Sequence, residues 1–364
     1  MSTKTFADHL DALTHPATFF QKQADGRLNC TACGQRCLIK PGGRGVCKMR
    51  FNREGELYAP WGYVAAANLD PIEKKPIMHF LPGSEALTFG MLGCNFHCDF
   101  CQNWVSSQAL RDPVSDDSDQ AIEEITPDQL VAYAQRSRAA VIASSYNEPL
   151  ITSEWAIDIF KQAKPAGIRC VYVSNGFATP EVLNALQPWL DGFKVDLKCM
   201  QEKNYHALGG KLQTVLDSIK LARELGMWVE VVTLVIPDFN DSPQELWDAA
   251  RFLVSVSPDI PWHVTAFHPM YKRLDAPPTS VALLQRAAEV GQEAGLHYVY
   301  AGNLPGKVGS LEDTHCPHCG HVLIQRRGYS LVGYQLTAQG TCPKCGTKIA
   351  GVWSEQPESV LTTR

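Results

Sequence analysis

Apolar runs of strand length alternate with amphipathic segments through the middle of this 364-residue chain. In the amphipathic segments, apolar residues recur at helical spacing, and two segments begin with the helix-start pairs Thr179-Pro180 and Ser242-Pro243. The apolar runs cover residues 86–92, 139–144, 168–174, 192–197, 227–236 and 262–267, and a further run follows at 297–303. Continuous apolar strands separated by helices predict a parallel sheet with both faces covered.

Six strand–helix units predict an α/β fold, a partial (β/α)6 barrel of the TIM type, with a doubly wound sheet as the alternative. Composition changes at both ends of this region, where Cys and Gly become frequent. We therefore predict a Cys-rich metal-binding module and lead-in over residues 1–83, the barrel over 84–310, and a zinc ribbon with a tail over 311–364.

Charge and hydropathy exclude several classes of protein. The formal net charge is −5 and 20% of residues are charged, which gives no general case for binding nucleic acid or membranes. No apolar run reaches the length of a membrane helix, and the first 20 residues lack the pattern of a secretory signal. We expect a cytoplasmic protein with no membrane partner.

The thirteen cysteines change this picture, because eleven of them fall into three tight groups. In a reducing cytoplasm, clustered cysteines indicate metal ligands before disulfides. Cys170, within an apolar run, and Cys199 stand apart, and we expect neither to act in catalysis. The groups are Cys30, Cys33, Cys37 and Cys47; Cys94, Cys98 and Cys101; and Cys316, Cys319, Cys342 and Cys345.

The central group is a C-x3-C-x2-C motif directly after the first predicted barrel strand. Three thiolates can each bind one iron of a [4Fe–4S] cluster and leave the fourth iron open to a cofactor or substrate. Its position favours catalysis, because barrel active sites gather at the carboxyl ends of the strands. Two alternatives stay open: His97 as a fourth ligand, and a zinc knuckle completed by a distant residue.

With Phe100 before its last cysteine, this motif resembles the signature of the radical S-adenosylmethionine (SAM) superfamily. Further elements of that family follow in order at later strand ends, in residues 145–149 (SYNEP), 174–176 (SNG) and 196–198 (DLK), and a His-Pro pair follows at 268–269. The resemblance implies that Cys94, Cys98 and Cys101 hold a catalytic [4Fe–4S] cluster. It also implies a set of residues around the cofactor: Phe100, Asn147, Glu148, Ser174, Asn175, Asp196, Lys198 and His268.

Residue chemistry supports part of this assignment without the resemblance. A carboxylate such as Glu148 at a strand end can bind an ammonium group by a charge-assisted hydrogen bond, and Asp196 can accept from ribose hydroxyls. The alternatives are a helix start at Asn147-Glu148-Pro149 and a structural salt bridge between Asp196 and Lys198.

Longer stretches are similar to the radical SAM member of the AmmeMemoRadiSam system, a group related to pyruvate formate-lyase activating enzymes. They include DPIEKKPIMHFLPGS, GCNFHCDFCQNW, TLVIPDFND and PWHVTAFHP. This resemblance implies reductive cleavage of SAM to a 5′-deoxyadenosyl radical, which abstracts hydrogen from an unidentified substrate, a protein or peptide among the candidates. It also implies a flavodoxin or ferredoxin as electron donor and partners of the Memo and AMMECR types. The alternatives are a glycyl-radical enzyme activase and, in another class, an iron–sulfur electron carrier or zinc-ribbon interaction module.

The two flanking cysteine groups carry separate predictions. Two C-x2-C pairs separated by a strand-like segment predict a zinc ribbon at the C-terminus, with rubredoxin-like iron or a cluster as the alternative. A nucleic-acid role for this ribbon would rest on Arg326 and Arg327 alone, which is a thin basis. The N-terminal group also offers four thiolates, and either zinc or an auxiliary [4Fe–4S] cluster fits its spacing.

Overall fold

The computed structural model describes residues 5–116, 122–360 and 362. The N-terminal module consists of one helix and short strands in two antiparallel three-stranded sheets, ordered β1-β6-β5 and β2-β3-β4. Its elements are α1 (Phe6–Ala12), β1 (Thr14–Pro16), β2 (Phe20–Lys22), β3 (Leu28–Cys30), β4 (Leu38–Ile39), β5 (Phe51–Arg53), β6 (Glu56–Pro60) and β7 (Tyr63–Val64).

The central sheet has eight strands in the order β16-β15-β14-β13-β12-β11-β9-β8. Strand β10 lies outside it and pairs with β7. The strands of this region are β8 (Ala66–Pro71), β9 (Glu85–Gly90), β10 (Glu123–Glu124), β11 (Val141–Ser144), β12 (Arg169–Ser174), β13 (Gly192–Asp196), β14 (Trp228–Val235), β15 (Trp262–Ala266) and β16 (Val299–Gly302).

Seven strands of this sheet are parallel and follow one another in chain order, which confirms the predicted barrel-like α/β fold. A doubly wound sheet would reverse its order at a switch point, and this sheet does not. Strand β16 adds a seventh parallel unit to the six predicted. At the other edge, β8 pairs antiparallel with β9, although it lies on the N-terminal side of the boundary predicted at residue 83.

Helices cover the outer face of the sheet because their apolar stripes are buried there. In α5, for example, Trp155, Ile159 and Phe160 are completely buried in the main core. No helix of the described residues is long and apolar enough to cross a membrane. The helices are α2 (Trp104–Ser107), α3 (Pro113–Asp116), α4 (Pro127–Arg136), α5 (Ser153–Ala163), α6 (Pro180–Leu186), α7 (Glu202–Leu208), α8 (Leu212–Glu224), α9 (Pro243–Val256) and α10 (Val281–Ala294).

The C-terminal module is a three-stranded antiparallel sheet of β17 (Thr314–His315), β18 (Val322–Arg327) and β19 (Ser330–Tyr334). It packs at the barrel end where the parallel strands begin, through a buried polar network. His79 Nε2 lies 2.6 Å from the Tyr300 hydroxyl, which lies 2.7 Å from Thr314 Oγ1. Arg326 donates to Thr314 Oγ1 and to the carbonyl of Met78, at 2.8 and 2.9 Å.

Candidate active site

The three central cysteines lie on the loop after β9, at the carboxyl end of the parallel strands, as predicted. Gly90 ends β9, and a Cβ there would lie 2.5 Å from the carbonyl oxygen of Ser145. Glycine therefore lets the loops after β9 and β11 approach closely enough to share one site.

The surroundings of these cysteines fit an iron–sulfur cluster. The backbone N–H of Phe96 donates to Cys94 Sγ at 3.3 Å, and the Ser107 hydroxyl lies 3.2 Å from Cys101 Sγ. Burial raises the pKa of Cys98 to about 12, so ionisation there needs a bound cation. Among the described residues, the sulfur atoms of this group do not all lie within 4.8 Å of one another. Thiolates on separate irons of a cluster have this wider spacing.

His97 and Phe100 are the two other residues of the cysteine loop that the sequence singles out. The His97 ring packs against Gly209, where a Cβ would lie 2.6 Å from its Cε1 atom. The structure therefore gives no support to His97 as a fourth ligand. Phe100 is 3% exposed and packs edge-on against Phe239 with a centroid distance of 5.7 Å, so its ring can shield the cysteine loop from water.

Glu148 is a buried carboxylate fixed by three donors. The Ser174 hydroxyl donates at 2.7 Å, the Asn175 backbone N–H at 2.8 Å and the Leu150 N–H at 3.1 Å. Tyr146 adopts a φ of 68°, in the left-handed region, two residues before this carboxylate. Burial raises the pKa of Glu148 to about 7 despite these hydrogen bonds. An incoming cation would stabilise its ionised form.

Two asparagines join the predicted elements to the cysteine loop. Asn175 donates from Nδ2 to Asn95 Oδ1 at 2.7 Å, and the same atom lies 3.9 Å from Cys94 Sγ. The side chain of Asn147 accepts from the N–H of Met91 at 3.0 Å and so links the loops after β11 and β9. The structure thus brings the elements after β9, β11 and β12 into one hydrogen-bonded site.

Asp196 ends β13 between two lysines. Lys198 lies 2.9 Å from its carboxylate, so the ion pair considered as an alternative is present, and Lys194 bonds to the other oxygen. Although burial opposes the shift, Lys194 and Lys198 lower the pKa of Asp196 to about 2. Asp196 therefore stays ionised and retains acceptor capacity for a ligand hydroxyl.

Lys194 is a buried charge at this site that sequence reasoning missed. It is 5% exposed and stands two residues before Asp196. Successive side chains of a strand alternate between faces, so an Asp on the inner face of β13 predicts the same face for Lys194. The charged residue inside an otherwise apolar strand was the available signal.

His268 follows β15 at the same end of the sheet, but it is exposed. Among the described residues, no hydrogen bond joins it to the network around Glu148 and Asp196. Its contact with a cofactor stays a prediction. Cys170 and Cys199, expected to have no catalytic role, are both buried.

The C-terminal cysteines form a compact four-sulfur site. All four sulfurs lie within 4.8 Å of one another, with Cys316 and Cys345 at 3.5 Å and Cys319 and Cys342 at 3.7 Å. This spacing fits a single tetrahedral ion, since metal–sulfur bonds of about 2.3 Å leave the sulfurs about 3.8 Å apart. The site can hold either zinc or a single iron.

Comparison with known proteins identifies the family. The family model of the radical SAM superfamily matches residues 89–253, which carry the cysteine loop, Glu148, Asn175 and Asp196. The chain belongs to the radical SAM superfamily. Members of this superfamily use SAM together with a [4Fe–4S] cluster.

Two curated relatives come from Methanocaldococcus jannaschii. An uncharacterized protein is 37% identical over 336 residues, which cover 92% of this radical SAM chain and 98% of the relative. A candidate glycyl-radical enzyme activating enzyme is 24% identical over 212 residues, which cover 57% of this chain and 77% of that protein.

Solved structures resemble the chain only remotely. A domain of pyruvate-formate lyase-activating enzyme from Bacteroides vulgatus is 20% identical, with a TM-score of 0.40 over 44% of this chain and 98% of that one. Streptococcus suis SuiB bound to S-adenosylmethionine is 14% identical, with a TM-score of 0.39 over 66% and 52% of the two chains. Neither likeness bears on substrate.

Proposed function

We propose that this protein reductively cleaves SAM at a [4Fe–4S] cluster held by Cys94, Cys98 and Cys101, and abstracts hydrogen from a protein or peptide substrate. The observation that supports it best is the buried Glu148 carboxylate, which is joined through Asn175 to Cys94. A pure electron carrier does not require a buried carboxylate beside its cluster.

Each residue of the site has a separate task in this proposal. When bound, the cluster supplies an electron to the sulfonium of SAM, and cleavage of a C–S bond gives methionine and the 5′-deoxyadenosyl radical. Glu148 binds the ammonium group of SAM, and Asp196 accepts from the ribose hydroxyls. Phe100 excludes water from the cluster side, while the lysines beside Asp196 hold its carboxylate in place.

The deciding experiment is anaerobic reconstitution of the cluster followed by addition of SAM and dithionite. We expect 5′-deoxyadenosine to form, and SAM to change the electron paramagnetic resonance (EPR) spectrum of the reduced cluster. Absence of both would overturn the proposal.

A matched pair of variants tests the task of Glu148. Glu148→Gln removes the charge-assisted bond to the ammonium, worth about 1.5–3 kcal/mol, so SAM affinity falls by about tenfold to a hundredfold. Glu181→Gln is the control, because Glu181 pairs with the exposed Arg36 on the surface. Equal SAM affinity in both variants would contradict the assigned task.

A second candidate is the activation of a glycyl-radical enzyme, which the similarity to a candidate activating enzyme favours. It differs only in the partner, a large protein that would acquire a glycyl radical. Incubation of such a partner with this protein, SAM and reductant would give a glycyl-radical EPR signal if it holds. Partners of the Memo and AMMECR types belong to the leading proposal, as does a flavodoxin or ferredoxin that supplies the electron.

A further inference from the structure

The four N-terminal cysteines converge in a small, mostly buried loop module. Cys30 ends β3, and its N–H donates to the carbonyl of Cys37 at 2.9 Å. The N–H of Val46 donates to Cys37 Sγ at 3.3 Å, as backbone amides do around thiolates that bind metal. Three of the four cysteines are buried, and Cys37 is partly exposed. The module therefore offers a complete set of four thiolates to one metal centre.

Sulfur spacing distinguishes this group from the C-terminal one. Within the described residues, only the C-terminal site brings three or more cysteine sulfurs within 4.8 Å of one another. The N-terminal group lacks that spacing, as does the central group of Cys94, Cys98 and Cys101, whose family binds a [4Fe–4S] cluster. Sulfurs on one ion must crowd together, whereas sulfurs on separate corners of a cubane stand apart. The N-terminal sulfurs are therefore spaced too widely for one tetrahedral ion, and wider spacing fits thiolates on separate irons.

The same comparison argues against a two-iron cluster. There, two thiolates share each iron and would approach as closely as Cys316 and Cys345 do, at 3.5 Å. No such sulfur–sulfur contact is found among the described N-terminal cysteines. The four N-terminal thiolates therefore fit a [4Fe–4S] cluster, in which each cysteine binds a different iron.

Asn95 connects this module to the active site. Its side chain accepts from Asn175, which lies beside Cys94 Sγ, and it also faces the Cys33 thiol. Asn95 is completely buried, and its Nδ2 forms no hydrogen bond of normal geometry. A buried amide of this kind needs an acceptor, and the Cys33 sulfur that it faces would supply one as a cluster-bound thiolate.

Further contacts hold the two cysteine loops against each other. Arg111 donates to the carbonyls of Val46 and Cys94, at 2.8 and 2.7 Å, so one guanidinium joins the neighbour of Cys47 to a ligand of the central site. Gln35 donates to the carbonyl of Asn95 at 3.0 Å. Direct hydrogen bonds from side chain to backbone thus join the two cysteine loops.

We propose that Cys30, Cys33, Cys37 and Cys47 bind a second [4Fe–4S] cluster, which passes electrons to the central cluster across Asn95. With all four irons ligated by protein, this cluster has no open position for SAM and serves electron transfer alone. A low-potential one-electron donor reduces it from the 2+ to the 1+ state. It returns to 2+ as the central cluster goes from 2+ to 1+. The electron relay depends on the proposed function of the central cluster. The presence of the second cluster does not depend on that function.

Metal analysis of the anaerobically purified protein tests the cluster. We expect about eight iron atoms and about one zinc per chain, or about nine iron atoms if the ribbon holds iron. About four iron and two zinc atoms would overturn the proposal. Because this count uses the unaltered protein, it does not depend on the folding of any variant.

Variants assign the metals to their sites. Cys30→Ser with Cys33→Ser should lose about four iron atoms and retain the change in EPR spectrum that SAM causes at the central cluster. Cys342→Ser with Cys345→Ser is the matched control and should lose only the ribbon metal. In the reduced unaltered protein, magnetic coupling should broaden the EPR signals of both clusters, and the first variant should lose that broadening. Loss of zinc instead of iron would overturn the proposal.

The relay is tested by comparing two reductants. In Cys30→Ser with Cys33→Ser, we expect reduction of the central cluster by reduced flavodoxin to be lost, while dithionite still drives SAM cleavage. Unchanged reduction by flavodoxin would overturn the relay. A protein that carries eight iron atoms but forms no 5′-deoxyadenosine would refute the proposed function and leave the second cluster in place.

Discussion

The two flanking cysteine modules pack at opposite ends of the barrel. The N-terminal module contacts the end where the parallel strands finish, through Gln35 against Asn95 and Arg50 against Glu154. The C-terminal module contacts the end where they begin, through Thr314 and Tyr300. Catalytic groups of such barrels gather at the first end, and the second serves stability. Both modules carry four cysteines, but only the N-terminal one lies at the end of the barrel where a metal centre could take part in catalysis.

The largest expected difference is between two variants that each remove one metal ligand, one at each end of the barrel. Cys98→Ala should lose the central cluster and all SAM cleavage, because no other thiolate on that loop can replace it. Cys342→Ala should lose the ribbon metal and keep the spectrum of the central cluster. Production of 5′-deoxyadenosine, with iron and zinc counts, measures both effects. A folded Cys342→Ala protein that cannot cleave SAM would contradict the separation between the two ends.

The anchor of the N-terminal module is a buried ion pair. Arg50 is 1% exposed and bonds to both carboxylate oxygens of Glu154, which also accepts from the backbone of Thr18 and Phe19. Glu154→Gln removes the carboxylate that pairs with the buried guanidinium, so we expect a loss of about 3–5 kcal/mol in the free energy of unfolding. Urea unfolding of the metal-loaded protein measures it.

The control for this loss is an exposed ion pair. Asp158→Asn breaks the surface pair with Lys161 and should cost about 0–1 kcal/mol. Equal losses in the two variants would mean that the buried pair is no anchor.

The polar contact that joins the C-terminal ribbon to the barrel should contribute less to the free energy of unfolding than the pair of Arg50 and Glu154. Tyr300→Phe removes the hydroxyl between His79 and Thr314 and leaves His79 Nε2 buried without a partner, at a cost of about 1–3 kcal/mol. SAM cleavage should not change, since this contact lies at the far end of the barrel. Tyr329→Phe, at an exposed position of the ribbon, should leave the free energy of unfolding unchanged. A loss of SAM cleavage in folded Tyr300→Phe would show that the two ends are coupled.

The sequence predicts local features of this protein well. Apolar runs predict the parallel strands, and the motifs at their ends predict Glu148, Asn175 and Asp196 in one site, because parallel strands finish at a common edge. The barrel order follows from the alternation of strands and helices. These features depend on periodicity over a few residues.

Contacts between distant segments could not be predicted in the same way. Asn95 faces Cys33 from 62 positions along the chain, and no spacing rule connects the two. The antiparallel edge strand β8 is likewise fixed by pairing with β9 and not by its own pattern. His268 lies at a strand end as predicted, its side chain is exposed, and its contact with a cofactor stays a prediction.

The smallest effect that we expect is the pH dependence of SAM binding, which follows from the different pKa values of Glu148 and Asp196. Burial raises the pKa of Glu148 to about 7, whereas two lysines hold the pKa of Asp196 near 2. Between pH 8 and pH 6 the ionised fraction of Glu148 falls from about 0.9 to about 0.1, while Asp196 stays ionised. The ammonium of SAM remains protonated at pH 6, since α-amino groups titrate near pH 8.

The Kd for SAM should therefore rise by about fivefold from pH 8 to pH 6, because the ionised fraction of Glu148 falls about tenfold while the protonated fraction of the SAM amino group rises about twofold. Equilibrium binding to the reconstituted, oxidised protein measures it. In Glu148→Gln the rise should disappear, since the amide does not titrate, and the Kd should instead fall by about twofold as the SAM amino group becomes protonated. A rise of equal size in that variant would assign the titration to another group, and tighter binding by the unaltered protein at pH 6 would show that Glu148 is not the group that binds the ammonium.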